Sequence, residues 1–301
     1  MIADFLIYLF EVDKLKPKAI EGVKSCLSQA FLLCGILDIT GNVQLSALIR
    51  NFTLECPPQR FDMPKWNLNL VLDLLSNKPF EPLCDISFKH LTQKTAFLIA
   101  MSSAARISEV HSLTFAGVSH SHDWSEIWVR PSLKFLAKNQ ISHAQEHRRK
   151  FRIPSLQSFT GFDSTERKLC PVRALRLYMA KTAKRREKQK QKQLFISINP
   201  NRSQEISKSA ISLWLRQIIV QAHSSCSDHK AQMINSSVHE LRAVSSSLCY
   251  QRNLSLHQIL DNCTWKSQSC FTSFYLRDLS QHFPDHMAIK PCVVAGALVK
   301  K

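Results

Sequence analysis

Arg106, Lys138, His239, Arg242 and Tyr275 are the side chains of this sequence whose types, taken together, could do chemistry on a phosphate. Phosphoryl transfer without a metal needs two cations that grip the non-bridging oxygens, an acid for the leaving alkoxide, a base for the attacking hydroxyl, and a nucleophile. The spacing adds something. In "VHELRAV" an i,i+3 step puts His239 and Arg242 on one helix face, and in "AARISEV" the same step pairs Arg106 with Glu109. A guanidinium in so apolar a helix is costly unless it meets an anion, either Glu109 alone or Glu109 plus a ligand phosphate. Taken singly, each motif has an internal ion pair as its default reading. Tyr275, in "SCFTSFYLRD", is one of four tyrosines. A phenol with a pKa of about 10 is a poor nucleophile until cations gather around it. The metal-dependent route has less to draw on, because 23 acidic residues face 40 basic ones and no carboxylate cluster has the spacing of a Mg²⁺ site.

These residues need a scaffold to meet, and the periodicity describes one. "ADFLIYLFEV", "PKAIEGVKSCLSQAFLLCG" and "NVQLSALIRNF" predict a small all-helical unit over residues 1–54. "ECPPQRFDMPK", with three prolines, cannot continue a helix and predicts a linker over 55–66. A larger domain is expected over 67–290, with a tail at 291–301. In it, "KWNLNLVLDLLSN" and "SFKHLTQKTAFLIAMSSAARISEVHSLTF" have helical periodicity, and the second is apolar nearly all round, as a buried helix should be. "SEIWVRPSLKFLAKN" and "RRKFRIPSL" predict β segments flanking a polar turn over 138–147, with Pro131 arguing for an edge strand. From "CPVRALRLYMAKTAKRREKQKQK" onward the chain is helical again. The expected class is α+β: mainly α with a small antiparallel sheet. Around Tyr275, the residues Phe271, Phe274 and Leu279 are expected to anchor the helix; Tyr8 and Tyr178 are explained by packing, and Tyr250 is the one rival near the HxxR helix.

Charge narrows the partners. The formal net charge is +17 with a pI near 9.6, which favours a polyanion. Between Arg130 and Lys192 lie 18 of the 40 Lys/Arg against 4 acidic residues, so the excess is concentrated mid-chain. No basic amphipathic helix with an aromatic face accompanies it, which disfavours a membrane surface. No run of eighteen apolar residues and no signal peptide is seen, so the chain is expected to be soluble and intracellular. Ten cysteines are present without CxxC or zinc-finger spacing, and reduced core thiols are the expected state. The run "KTAKRREKQKQK" is either a solvated helix or frayed loop, or a contact for DNA or nuclear import.

Together, these motifs resemble the tyrosine recombinases, also called the phage integrase family. "SAARISEV" is similar to the family's first arginine box, "HELR" to its HxxR box, Trp265 falls where His or Trp is usual, and Tyr275 falls at the nucleophile. "KTAFLIAMSSAARISEVHSL" and "WKSQSCFTSFYLRD" look closer still to recombinases of DIRS-type retrotransposons and Crypton elements. The resemblance implies a tyrosine recombinase catalytic domain preceded by a partial helical core-binding domain. It implies that Tyr275 attacks the scissile phosphate to give a 3′-phosphotyrosyl link and a free 5′-hydroxyl. Arg106 and Arg242 would hold the phosphate, His239 would take the tyrosine proton, Trp265 would donate its indole N–H, and Lys138 would protonate the 5′ oxygen. Lys134 competes for that last role, and Glu109 would orient the arginines. No ATP, cofactor or metal is implied. The implied partner is double-stranded DNA, bound by a homotetramer whose C-terminal tails dock on neighbours; mobile-element integration in the nucleus is the implied setting.

The sequence departs from the family at three places. Ala105 stands where glycine is usual, "LDN" at 260–262 replaces "LGH", and Trp265 and Tyr275 are ten residues apart where nine is commoner. The last can shift the nucleophile by one helical position. A catalytically silent, element-derived DNA-binding protein is the alternative reading, and its intact set of six residues argues against it. An RNA-binding helical protein would carry aromatics beside its basic residues, and Lys181–Lys192 has none.

Overall fold

Helix signals in the first sixty residues act as their chemistry requires. Pro17 opens α2 with its missing N–H at a position that needs no partner, and the Asn42 side chain caps α3 by accepting from Leu45 N–H at 2.9 Å. In this unit, Met1–Arg60, α1 (Ile2–Glu11), α2 (Pro17–Leu33) and α3 (Val43–Glu55) close on Leu6, Leu9, Ile20, Ile39, Leu45 and Phe52. Phe10 stacks on Phe52 with ring centroids 4.2 Å apart. Tyr8 is not packed away as expected; it is exposed on the outer face of α1.

The structure, a computed structural model, describes residues 1–36, 39–57, 66–136, 150–157, 167–224, 239–251, 254–263, 265, 268–277 and 279. The second unit is Phe61–Lys301. Its described elements are α4 (Leu68–Ser76), α5 (Phe88–Ser103), α6 (Ile107–Ser112), β1 (Ser119–His120), β2 (Glu126–Val129), β3 (Phe151–Pro154), α7 (Pro171–Gln189), α8 (Lys208–His223), α9 (His239–Gln251), α10 (Leu256–Cys263) and α11 (Gln268–Phe274). The protein is mostly helical, with one three-stranded antiparallel sheet in the order β1-β2-β3. Among the described residues no helix is long and apolar enough to cross a membrane.

The centre is α5. Every residue from Leu91 to Ser102 is buried, and the helix packs on α6, α7, α8, α9 and β3. A helix apolar all round can be surrounded in this way because it has no face that prefers water. One lysine enters with it. Lys94 Nζ donates to Leu75 O (2.8 Å) and to Glu81 (2.5 Å), and Glu81 also receives both terminal nitrogens of Arg173 at 2.8 and 3.2 Å. Burial pulls the Lys94 amine down to about 8, against the opposing pull of Glu81.

The sheet corrects one expectation. β2 is the central strand, paired with β1 through Ser119↔Trp128 and with β3 through Trp128↔Arg152. Pro131 does not make it an edge, because the strand ends at Val129; Pro131 lies beyond it in an isolated bridge to Leu113. Ile127 and Val129 point inward, while Glu126 forms an ion pair with Arg152 across the strands. Where the chain returns from α6 to the sheet, Gly117 has no room for a side chain: a Cβ there would lie 2.6 Å from Arg130 O.

Among the described residues the cysteines are free thiols, but core burial holds only for Cys170, Cys249 and Cys263. Cys26, Cys34, Cys56 and Cys84 are exposed. Burial pushes the Cys249 thiol up.

Candidate functional site

The end of α5 sets the site. Ala104 closes that helix in the left-handed conformation (φ 47°), strained for a residue with a Cβ, and the chain turns sharply into α6. Arg106 becomes the residue preceding α6, and its N–H donates to the Glu109 carboxylate at 2.6 Å. Glu109 thus caps the helix that carries it, while its Oε1 lies 3.4 Å from Arg106 Nη1.

Arg242 reaches the same carboxylate from α9. Its Nη1 donates to Ala104 O at 3.0 Å and lies 3.5 Å from Glu109 Oε2, and its Nη2 donates to Cys263 O. The left-handed turn at Ala104 therefore aims a carbonyl at a guanidinium that is 2% exposed. Burying that charge is tolerable only because a carboxylate and carbonyls face it.

Two aromatic residues complete the cluster. Trp265 follows α10, with its backbone N–H on Leu260 O at 2.9 Å, and Tyr275 follows α11. The Arg242 guanidinium carbon lies 4.8 Å from the Trp265 ring centroid and 5.7 Å from that of Tyr275, and the two rings are 4.6 Å apart. Beneath them Phe271 is fully buried, 5.3 Å from the Trp265 ring. Leu279 is buried as expected, but Phe274 is not an anchor: it is the last residue of α11 and is 68% exposed. Tyr178 is a packed core residue whose hydroxyl accepts Ile196 N–H at 2.9 Å. Tyr250, the rival phenol, is exposed and meets only the edge of Phe271 within this group.

Chemically, the cluster holds two guanidinium groups against the one carboxylate of Glu109, so these three groups leave one positive charge. The Trp265 indole N–H is buried and has no acceptor among the described residues, and the Tyr275 hydroxyl, half-buried, makes no hydrogen bond among them either. An oxyanion beside the two guanidinium groups would also accept from the indole N–H.

Arg106, Glu109, Arg242, Trp265 and Tyr275 are thus brought together. His239 is the first described residue of α9, one turn before Arg242, and its side chain lies outside the described residues. Lys138 lies outside them altogether. Lys134 sits exposed in a turn closed by Phe135 N–H on Ser132 O.

Sequence reasoning missed the groups that hold the cluster in place. Ser247, fully buried on α9, donates to Tyr275 O at 3.1 Å and accepts Arg277 N–H at 2.9 Å, fastening the tyrosine's segment to the helix of Arg242. Ser245 donates to Met101 O at 2.6 Å and ties α9 to α5. Three successive serines in "AVSSSL", all buried, were the signal available. The carbonyls of Ala104 and Cys263 carry no sequence signal, because every residue has one.

No family model matches this chain, and no curated protein matches it. Among solved structures it is similar to crystal structures of lambda integrase. A tetramer bound to a Holliday junction aligns with a TM-score of 0.49 at 16% identity, covering 96% of this chain and 66% of that one. A dimer bound to a COC′ core site gives 0.48 at 14%, covering 95% and 66%. A dimer of lambda integrase(75-356) on the same type of site gives 0.49 at 15%, covering 95% and 81%. The chain thus spans 66% of the integrase chain in the first two structures.

Proposed function

We propose that this protein is a tyrosine recombinase that cuts and rejoins double-stranded DNA through a covalent 3′-phosphotyrosyl intermediate. The observation that carries the reading is the meeting of Tyr275 with Trp265, Arg242, Glu109 and Arg106, where two guanidinium groups share one carboxylate and a buried indole N–H has no acceptor among the described residues. In the proposed step Tyr275 Oη attacks the phosphorus, the P–O5′ bond breaks, the phenolic proton passes to His239, and Lys138 protonates the departing 5′ oxygen. Arg106, Arg242 and the Trp265 N–H take the charge that builds on the non-bridging oxygens. The phosphotyrosyl bond keeps the cleavage energy, so rejoining needs no ATP, and the roles assigned leave no step for a metal.

The charge excess supports a DNA partner, since lysine and arginine contacts to phosphates supply most of the sequence-independent affinity. On this reading residues 1–54 are a core-binding domain, 55–66 a linker, 67–290 the catalytic domain, and the tail at 291–301 joins protomers into a tetramer. The setting is mobile-element integration in the nucleus; retention of a tagged full-length chain in the cytosol sinks the nuclear part.

One observation favours a second reading, DNA binding without cleavage: the Arg242 guanidinium is 2% exposed and already engages Glu109 and two carbonyls. A suicide duplex carrying a nick near the cleavage point separates the two. The recombinase forms a covalent protein–DNA adduct that Tyr275→Phe abolishes while still binding DNA. Binding with no adduct, identical in wild type and Tyr275→Phe, leaves the second reading standing.

A further inference from the structure

A second cation cluster lies at the start of α7, apart from the residues assigned to cleavage. It lines a cavity of about 460 Å³ to which Arg167, Arg173, Arg176, Trp124, Asp123 and Leu177 contribute. That volume falls in the range of about 300–1,000 Å³ typical of small-molecule sites, well beyond a bare phosphate ion.

Among the described residues, the charges in and directly behind the cavity do not cancel. Arg173 is held by Glu81, and Glu81 is shared with the buried Lys94. Asp123 is the one acid of the lining among the described residues; the Ser125 backbone N–H, with the Ser121 and Ser125 hydroxyls, holds its carboxyl at about 2, so it is ionised. Among the described residues four cations therefore face two anions. Arg167 has no ionic partner among the described residues, and Arg176 has only the ring of Trp124.

Trp124 is placed at a cost. It sits in the left-handed region (φ 58°), an outlier for a bulky side chain, in the turn between β1 and β2. His120 stacks on its ring with centroids 3.7 Å apart, and the Arg176 guanidinium carbon lies 5.2 Å from the indole centroid. A guanidinium laid on an indole is pre-oriented, with its N–H edge left for an oxyanion. Leu177 and its apolar neighbours line the rest and suit an organic body rather than solvent alone.

We infer that this cavity is a binding site for a small phosphomonoester, its phosphate held by Arg167 and Arg176 and its body lying along the apolar wall of α7. The site does not depend on the recombinase reading. A duplex backbone phosphate carries a single negative charge and is flanked by sugar on both sides, whereas a monoester is close to doubly charged near neutral pH, so a cationic pocket suits a terminal group better.

The test uses the full chain at constant ionic strength, with calorimetric titration of phenyl phosphate and of inorganic phosphate. Saturable 1:1 binding is expected, tighter for phenyl phosphate, and Arg167→Gln/Arg176→Gln weakens it at least ~30-fold while leaving the thermal melt unchanged. Both side chains are at least partly exposed, which makes that double variant compatible with folding. Absence of saturable binding overturns the inference. So does binding that survives the double variant but is lost in Arg106→Gln, which puts the ligand at the other cluster. Displacement of phenyl phosphate by a short duplex also overturns it, in favour of a backbone contact; phenyl phosphate that stays bound beside saturating duplex supports it.

Discussion

Replacing Glu109 tests whether the cluster stands on charge pairing. The carboxylate is buried, caps α6 through Arg106 N–H at 2.6 Å, and faces Arg106 and Arg242 at 3.4 and 3.5 Å. Glu109→Ala removes the paired charge from a guanidinium that is itself buried, and breaking such a pair costs about 3–5 kcal/mol. Glu109→Gln keeps the volume and an acceptor for Arg106 N–H while losing the charge, so about 1.5–3 kcal/mol is expected. All five tryptophans lie at or beyond Trp66, so indole fluorescence during urea unfolding reports on the larger unit alone. With a slope of about 3 kcal/mol per molar urea, the alanine variant should lower the midpoint by about 1–1.7 M. The decisive arm is Glu109→Ala/Arg242→Met. If the cost is that of a buried charge stripped of its partner, removing the charge as well recovers about 2 kcal/mol of the loss expected from the two single variants. Additive single and double variants, or a midpoint shift under about 0.3 M for the alanine variant, refute the reasoning.

Trp265→Phe keeps a packed ring and removes the indole donor; adduct formation should fall roughly 10²-fold with little change in urea midpoint, as for loss of one transition-state donor, and an unchanged rate would show that the N–H has no part in it. Ser247→Ala strips a donor from Tyr275 O and an acceptor from Arg277 N–H, so about 1–3 kcal/mol of stability should go. Its adduct rate should fall while DNA affinity holds, and a parallel fall in both would contradict a role in placing the phenol. Lys94 governs an alkaline effect: its amine is near 8 in the fold and about 10.4 when unfolded, so between those values the unfolded chain holds a proton that the folded chain has released. Through Lys94, stability rises with pH across that window by up to about 3 kcal/mol, and below pH 8 the slope vanishes. Cys249 and Tyr178, both pushed up by burial, act in the opposite sense at alkaline pH. The difference between wild-type and Lys94→Met urea midpoints at pH 7.5 to 10 isolates the lysine, and parallel curves would exclude it.

Much of the helical framework was legible before folding. The buried character of α5 was written in "AFLIAM", and the caps at Pro17 and Asn42 fall where local backbone chemistry puts them. Errors arose where a local rule met a tertiary fact. Pro131 signals an edge only if the strand reaches it, and β2 stops at Val129. Phe274 counts as an anchor by composition alone; the fold orients α11 on Phe271 and leaves Phe274 in water.

By itself, the sequence determined which side chains could act and that each charge pair needed an anion, because residue type and i,i+3 spacing are properties of a few adjacent positions. Only the tertiary structure decided that Arg242 meets Glu109 across 133 residues, that the Trp265 and Tyr275 rings meet, tilted at 40°, despite a ten-residue step, and that Ser247 fastens the tyrosine's segment. Such contacts depend on packing between helices far apart in the chain and on backbone carbonyls, and neither leaves a pattern in the order of residues.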